Sequence, residues 1–334
     1  MPDLFSFGGG VCIQGAKGAK LFIDASKSKN SNVLISHAHS DHAKTNCSSD
    51  FFASKETAEL VKKKASAEAR IHGHSFKKKF SLDGFDVSLH SSGHILGSSQ
   101  SKIEADGKTV VATSDFKLQK SLLFEPAEIL AGDVLLIEST FGMPQFVFPE
   151  RERVYGEMEK WLESNLKQNR FVVMAGYATG KAQELTRIVN EFSHETPIVH
   201  ESIFENNKIY EANGVKLGKY LKLNHNLKES SVLIMPPSLV DANLLEALSY
   251  SLGKKVVSAL ATGWHYGNGY SKIFPLSDHA DFSQLTRYVK EAEPKLVLTH
   301  HGYAKEFASS VQRKLKIPAR ALNAKGQKVL GEFA

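Results

Sequence analysis

Apolar residues over positions 1–142 come in short, strand-sized runs. Leu21-Phe22-Ile23-Asp24, Val33-Leu34-Ile35-Ser36, Val87-Ser88-Leu89-His90, Thr109-Val110-Val111-Ala112 and Val134-Leu135-Leu136-Ile137 are rich in β-branched or aromatic side chains. Gly, Asn, Ser or Asp bound them, which predicts strands joined by turns. One helix interrupts the series, from about 54 to 70, with Ser54 placed to cap it. The pattern then changes. Positions 150–167 and 180–192 read as helices, and the runs Phe171-Val172-Val173-Met174, Val232-Leu233-Ile234-Met235 and Val256-Val257 each adjoin a helical pattern. Helices alternating with buried strands predict βα units around a parallel sheet. A helix over 282–293 finally leads into the strand-like Leu296-Val297-Leu298-Thr299. The expected organisation is a mixed α/β domain from 1–142 and 263–334, with an α/β insertion over 143–262.

Composition narrows the class. No apolar run approaches the ~18 residues of a membrane span, and Met1-Pro2-Asp3-Leu4-Phe5 lacks the basic and apolar regions of a signal peptide. The expectation is a cytoplasmic protein with no membrane partner, and 42% hydrophobic residues suffice for a core. Two cysteines, Cys12 and Cys47, exclude a disulfide scaffold and a cysteine-only zinc site. The net charge of +6 is uneven: Lys55, Lys62, Lys63, Lys64, Arg70, Lys77, Lys78 and Lys79 crowd one short stretch. Such a cluster suits a polyanion and nominates Lys62, Lys63 and Lys64 as nucleic-acid contacts. A solvated helix face followed by a basic turn accounts for them equally well.

The chemistry concentrates in His37-Ala38-His39-Ser40-Asp41-His42, directly after a predicted strand. Three imidazoles and a carboxylate in six residues are ligand types for zinc, manganese or iron, and a loop leaving a buried strand holds them rigidly. The alternation places two histidines toward one metal, while Asp41 and His42 turn toward a second. His94, in Ser91-Ser92-Gly93-His94-Ile95-Leu96-Gly97, and Asp115, in Thr113-Ser114-Asp115-Phe116, also follow predicted strands. All of them could converge at one sheet edge, where a carboxylate such as Asp115 can bridge two metals ~3.5–4 Å apart.

This order of motifs resembles the metallo-β-lactamase superfamily, over residues 1–142 and roughly the last sixty. Leu136-Ile137-Glu138-Ser139-Thr140-Phe141-Gly142 is similar to the acidic motif of its β-CASP nuclease branch. Pro275-Leu276-Ser277-Asp278-His279-Ala280-Asp281-Phe282 resembles that branch's later histidine motif, and Leu298-Thr299-His300-His301-Gly302 its terminal one. The resemblance implies an αββα sandwich carrying an inserted α/β β-CASP domain. It implies His37, His39 and His94 on one metal, Asp41, His42 and His301 on the other, Asp115 bridging, and Glu138 orienting a catalytic His279. Relatives usually have a single histidine before the glycine, so the doubled His300-His301 is a departure. His301, next to Gly302, is taken as the ligand.

Phe141-Gly142-Met143-Pro144, Gly176-Tyr177-Ala178-Thr179-Gly180-Lys181-Ala182-Gln183 and Phe274 to Asp281 look most like ligase-associated DNA exonucleases. Archaeal RNA 3′-end processing proteins are nearly as similar. The implied function is hydrolysis of nucleic-acid phosphodiester bonds with two divalent ions, zinc or manganese, in DNA repair or RNA processing. A DNA ligase or another processing protein is the implied partner. Two other classes stay open: a small-molecule metallo-hydrolase and a non-catalytic binding subunit.

Lys181, at a predicted helix start, is placed to meet a phosphate, although a packing role fits as well. Gly263-Trp264-His265-Tyr266-Gly267-Asn268-Gly269-Tyr270 could stack unpaired bases or form a crossover loop. Gly8-Gly9-Gly10 lacks a phosphate-loop signature and reads as a turn.

Overall fold

Side chains of a strand alternate between the two faces of its sheet, and here both faces of two sheets are apolar. The computed structural model describes residues 5–7, 9–26, 30–224, 227–264 and 269–322, so Gly8 and 265–268 of the aromatic loop lie outside the described residues. Contacts divide the chain into two units. The first comprises Met1–Leu118, Pro126–Val147 and His279–Ala334, and the second Gln119–Glu125 and Phe148–Asp278.

In the first unit, β1 (Phe5–Phe7), β2 (Val11–Gln14), β3 (Lys20–Ile23), β4 (Asn32–Leu34), β5 (Asp50–Ser54) and β6 (Arg70–His74) pair in that order, with α1 (Lys55–Lys62) joining the last two. A second sheet begins with β7 (Lys79–Leu82), β8 (Phe85–Ser91), β9 (Ser99–Ala105), β10 (Lys108–Ala112) and β11 (Val134–Glu138).

The second unit contains α2 (Arg151–Lys167), β12 (Phe171–Ala175), α3 (Lys181–Phe192), β13 (Ile198–Val199), α4 (Glu201–Ala212), β14 (Leu221–Lys222), β15 (Val232–Met235), α5 (Ala242–Leu252), β16 (Val256–Thr262) and β17 (Lys272–Pro275). The chain then returns through α6 (Phe282–Ala292), β18 (Leu296–His300), α7 (Ala304–Leu315) and β19 (Ala319–Ala321). These last two strands complete the second sheet, in the order β19-β18-β11-β10-β9-β8-β7.

The apolar alternation explains the layers of the first unit. Leu21, Ile23 and Leu34 of one sheet meet Val87, Leu89, Ile103 and Leu136 of the other in a shared core. On the second sheet's far face, Val111, Leu135 and Ile137 pack against Leu285 and Val289 of α6 and Phe307 and Val311 of α7. On the first sheet's far face, Val33, Ile35 and Phe51 pack against Val61 of α1. The layers therefore run helix, sheet, sheet, helix.

One predicted element is corrected. The helix starts as expected, with Ser54 Oγ accepting the Thr57 N–H (3.0 Å), but it ends at Lys62. Residues 70–74 instead form β6, because Arg70 to His74 pair in parallel register with Asp50 to Ser54 and Arg70 bonds Asp50 across the ladder. Strand pairing outweighs helical propensity there.

The second unit is a parallel sheet, in the order β14-β13-β15-β12-β16-β17. Val172, Met174, Val232 and Ile234 pack on Leu185 and Ile188 of α3 and on Met158 and Leu162 of α2. The unit boundaries fall after 147 and 278 rather than at 142 and 262. The Phe282 N–H donates to the Phe146 carbonyl (3.0 Å), tying 143–147 to the first unit, while β17 pairs with β16 in the second.

The second unit also buries charge. The Arg151 guanidinium donates to Glu184 and to the Ser277 carbonyl, the Tyr155 hydroxyl donates to Glu184 (2.6 Å), and the Lys181 ammonium lies 2.9 Å from Asp278. Burial opposes the Arg151 charge, yet Glu184, Tyr155 and Asp278 hold its pKa above the ordinary value. Removing one partner strands the other in the interior, which typically costs about 3–5 kcal/mol. Glu184→Ala is therefore expected to lower the unfolding free energy by about that much in guanidinium titrations. A loss within the ~1 kcal/mol typical of surface pairs would contradict the account.

Candidate metal centre

The site follows from strand direction. β10, β11 and β18 are parallel neighbours, and β8 is related to β10 by two antiparallel steps through β9. All four therefore run the same way and end at one edge. His94 follows β8, Asp115 follows β10, Glu138 closes β11 and His301 follows β18. The first sheet supplies the remaining histidines after β4, and the Ser99 N–H donates to the Ser36 carbonyl (2.8 Å), pinning that loop beside the start of β9.

Turn chemistry shapes these loops. Ser98 Oγ accepts the N–H groups of His94 (3.1 Å) and Ile95 (3.0 Å), fixing the His94 turn. Gly302 has φ +51°, and a Cβ there would lie 2.5 Å from Thr140 Cα. Only glycine fits directly after His301.

The imidazoles converge on Asp115. His37 Nε2 lies 3.0 Å from His39 Nδ1, which in turn lies 3.2 Å from His94 Nε2. Asp115 Oδ2 is 3.4 Å from His37 Nε2, 3.4 Å from His42 Nε2 and 3.8 Å from His94 Nε2. Three groups of donor atoms emerge: His37, His39, His94 and Asp115; His42, Asp115 and His301; and Asp115, Glu138 and His279. Nitrogens and oxygens 3–4 Å apart with lone pairs facing one point suit a shared ion at ~2.0–2.2 Å from each. These buried clusters could hold metal ions.

Electrostatics agree with that reading. Burial lowers the pKa of His37 well below its ordinary value, with His42 adding repulsion, and burial likewise lowers His301. His42 is the exception: burial works against its charge, but Asp115, Asp24 and Asp41 push it up to about 10. Burial also disfavours charge on Asp115, yet His42, His279 and His37 hold its carboxyl well below the usual range. The cluster thus presents an anionic Asp115 carboxylate and neutral His37 and His301 rings, the states that a metal requires, whereas His42 has to give up its proton to become a ligand.

The residues inferred from sequence are distributed as follows. His37, His39, His42, His94, Asp115 and His301 are brought together. Asp41 is not drawn into these groups. Its Oδ2 lies 3.7 Å from His42 Nε2, but its side chain is 77% exposed. His279 Nδ1 lies 3.2 Å from Glu138 Oε2, while Glu138 Oε1 accepts the Phe116 N–H (3.0 Å). The cap of α6 is Asp281, whose Oδ1 accepts the Gln284 N–H (2.9 Å), so His279 is not needed for capping. His300 is buried beside His301 but stands outside the donor groups. Lys62, Lys63 and Lys64 are exposed. Lys181 departs from the expected phosphate contact, because its ammonium is buried and its charge faces Asp278 and Glu184 within the second unit.

Sequence reasoning missed Asp24. It accepts the Ser36 N–H (2.8 Å) and hydroxyl (2.6 Å) and lies 2.8 Å from His42 Nδ1, while Ser36 Oγ lies 2.9 Å from His37 Nδ1. One carboxylate therefore orients both rings from behind. Its signal in the sequence was only an acidic residue closing the run Leu21-Phe22-Ile23.

No family profile matches the chain. An RNase J-like protein of Methanocaldococcus jannaschii is 22% identical over 359 residues, covering 86% of this chain and 85% of that protein. Relatives of this kind fit the β-CASP branch of the metallo-β-lactamase nucleases. A probable DNA ligase of Opitutus terrae is 31% identical over 306 residues, covering 89% of the chain. The chain spans only 29% of that ligase's length. Its fold is shared with a crystal structure of a protein of unknown function from Enterococcus faecalis, with TM-score 0.67, 13% identity and coverage of 97% and 98% of the two chains.

In this chain the contribution of Asp24 is measurable. Removing a group that orients metal-binding histidines typically costs ~10–100-fold in metal affinity. Asp24→Ala is expected to lose that much in a zinc competition titration against a chelating dye. Unchanged affinity would show that the rings are oriented by other contacts.

Proposed function

We propose that the chain is a nuclease dependent on two divalent metal ions, zinc or manganese, that hydrolyses phosphodiester bonds at DNA ends. The observation that carries this reading is the pairing of His279 with Glu138 directly beside the Asp115-centred histidine cluster. In this reading His37, His39 and His94 would hold one ion, His42, His301 and Asp41 would hold the other, and Asp115 would be shared between them. The ions would supply Lewis-acid stabilisation of the phosphate oxygens and lower the pKa of a nucleophilic water.

The protein's own residues account for the other half of the reaction. A departing sugar oxygen is a strong base, and its expulsion needs a proton. The His279 ring is 26% exposed while Glu138 is fully buried, so the ring can reach solvent and substrate while the carboxylate stays behind it. Glu138 holds Nδ1 and favours a protonated ring, leaving Nε2 to donate.

The choice of DNA rests on the relative named as a probable DNA ligase, and a ligase or another end-processing protein is the proposed partner. An RNA substrate is the second reading, favoured by the RNase J-like relative, of which the chain covers 85%. The inserted second unit is read as the β-CASP domain. End-labelled DNA and RNA, single- and double-stranded, separate the two substrates.

His279→Ala is expected to lose ~10²–10⁴-fold in rate while keeping its metals. A substrate whose leaving oxygen is replaced by sulfur departs without protonation and should rescue most of that loss. Equal defects on the oxygen and sulfur substrates would remove His279 as the acid.

The exposed Lys62, Lys63 and Lys64 give a separate test. If they meet phosphates, neutralising all three should flatten the salt dependence of binding by up to about one unit per lost contact. An unchanged slope would assign them to a solvated helix end.

A further inference from the structure

The two oxygens of Asp115 face different neighbours. Oδ2 looks toward His37, His42 and His94. Oδ1 is buried, has no hydrogen-bond partner among the described residues, and lies 4.0 Å from His279 Nδ1. The same nitrogen is 3.2 Å from Glu138 Oε2, and donor atoms of all three residues lie within 4.8 Å of one another. Ligands at ~2.0–2.2 Å from an ion can stand at most about 4.4 Å apart, so both measured separations fit one ion. A buried carboxylate oxygen without a partner calls for one, and Oδ1 is aimed at this group.

The geometry points to a third divalent-cation site, formed by Asp115 Oδ1, Glu138 and His279 Nδ1, distinct from the two histidine-rich positions. Its donors are two carboxylate oxygens and one imidazole nitrogen, whereas the His37, His39 and His94 group is mainly nitrogen. Carboxylate-rich donors suit manganese, and softer nitrogen-rich donors suit zinc, so the ligand assigned here is Mn²⁺. Glu138 and Asp115 form a buried floor, and the partly exposed His279 leaves a way in. This inference rests on the two-metal reading above, because it gives the Glu138–His279 pair a second state. His279 Nδ1 cannot hold an ion and a proton at once. With an ion in place of the Nδ1 proton the ring is no longer an imidazolium, its Nε2–H becomes a far weaker acid, and excess Mn²⁺ becomes an inhibitor of the nuclease.

The test counts ions on the full chain. Metal-free protein is titrated with MnCl₂, free Mn²⁺ is followed by electron paramagnetic resonance, and the count is repeated on Glu138→Gln and His279→Ala. The expected result is three Mn²⁺ per chain for the wild type, the third weakest, and two for each variant. Saturation of the wild type at two ions overturns the third site and leaves the two-metal reading standing. Retention of three ions by both variants overturns the assignment to Glu138 and His279. Failure of the wild type to bind two ions tightly removes the two-metal reading, and this inference with it. A second readout uses the sulfur-leaving substrate: Mn²⁺ above two equivalents should slow cleavage of the oxygen substrate only. Equal inhibition of both substrates would overturn the inhibitory role.

Discussion

A single buried carboxylate, Asp115, organises the first unit's edge. Burial penalises its charge, and the penalty is met only because His37, His42, His94 and His279 surround it. Those rings repel one another when protonated, so the cluster settles with His42 charged and His37 neutral. Such a cluster is costly in an isolated chain. It is compatible with folding because strands running in one direction end together, and because an apolar core on either side of the second sheet fixes those ends.

Hydrogen bonds behind the cluster are what give it a defined shape. Asp24 governs His42 directly and His37 through Ser36, while the Phe116 N–H holds Glu138 in place for His279. These groups belong to loops and strand ends separated by long stretches of sequence, so the arrangement depends on the whole sandwich. The proposed nuclease chemistry needs such prior orientation. Stabilisation of a phosphoryl transition state works when donors and charges already stand where charge develops.

The second unit spends its buried charge differently. Arg151, Glu184, Lys181 and Asp278 neutralise one another with Tyr155 in support, joining α2 and α3 to the segment after β17. A lysine at a helix start reads as a phosphate ligand from sequence. In the fold its charge is matched from within, by Asp278 and Glu184.

The sequence by itself determined most of the strands, the start of the helix that Ser54 caps and the parallel βα character of the segment it bounded at 143–262, and it nominated the histidines. Alternation and residue chemistry are local, so runs such as Val134 to Ile137 or His37 to His42 announce themselves. It misjudged the end of α1, because pairing of Arg70 to His74 with β5 is a tertiary contact that no local pattern reports. It passed over Asp24, whose role exists only where β3 and the His37 loop meet, and it left a phosphate contact and a packing role equally open for Lys181. Tertiary structure alone decided which oxygen of Asp115 faces which neighbours, because that follows from the relative stagger of strand ends. The left-handed turn at His301, which only Gly302 can follow, sets His301 beside His42 and Asp115 and leaves His300 outside that group.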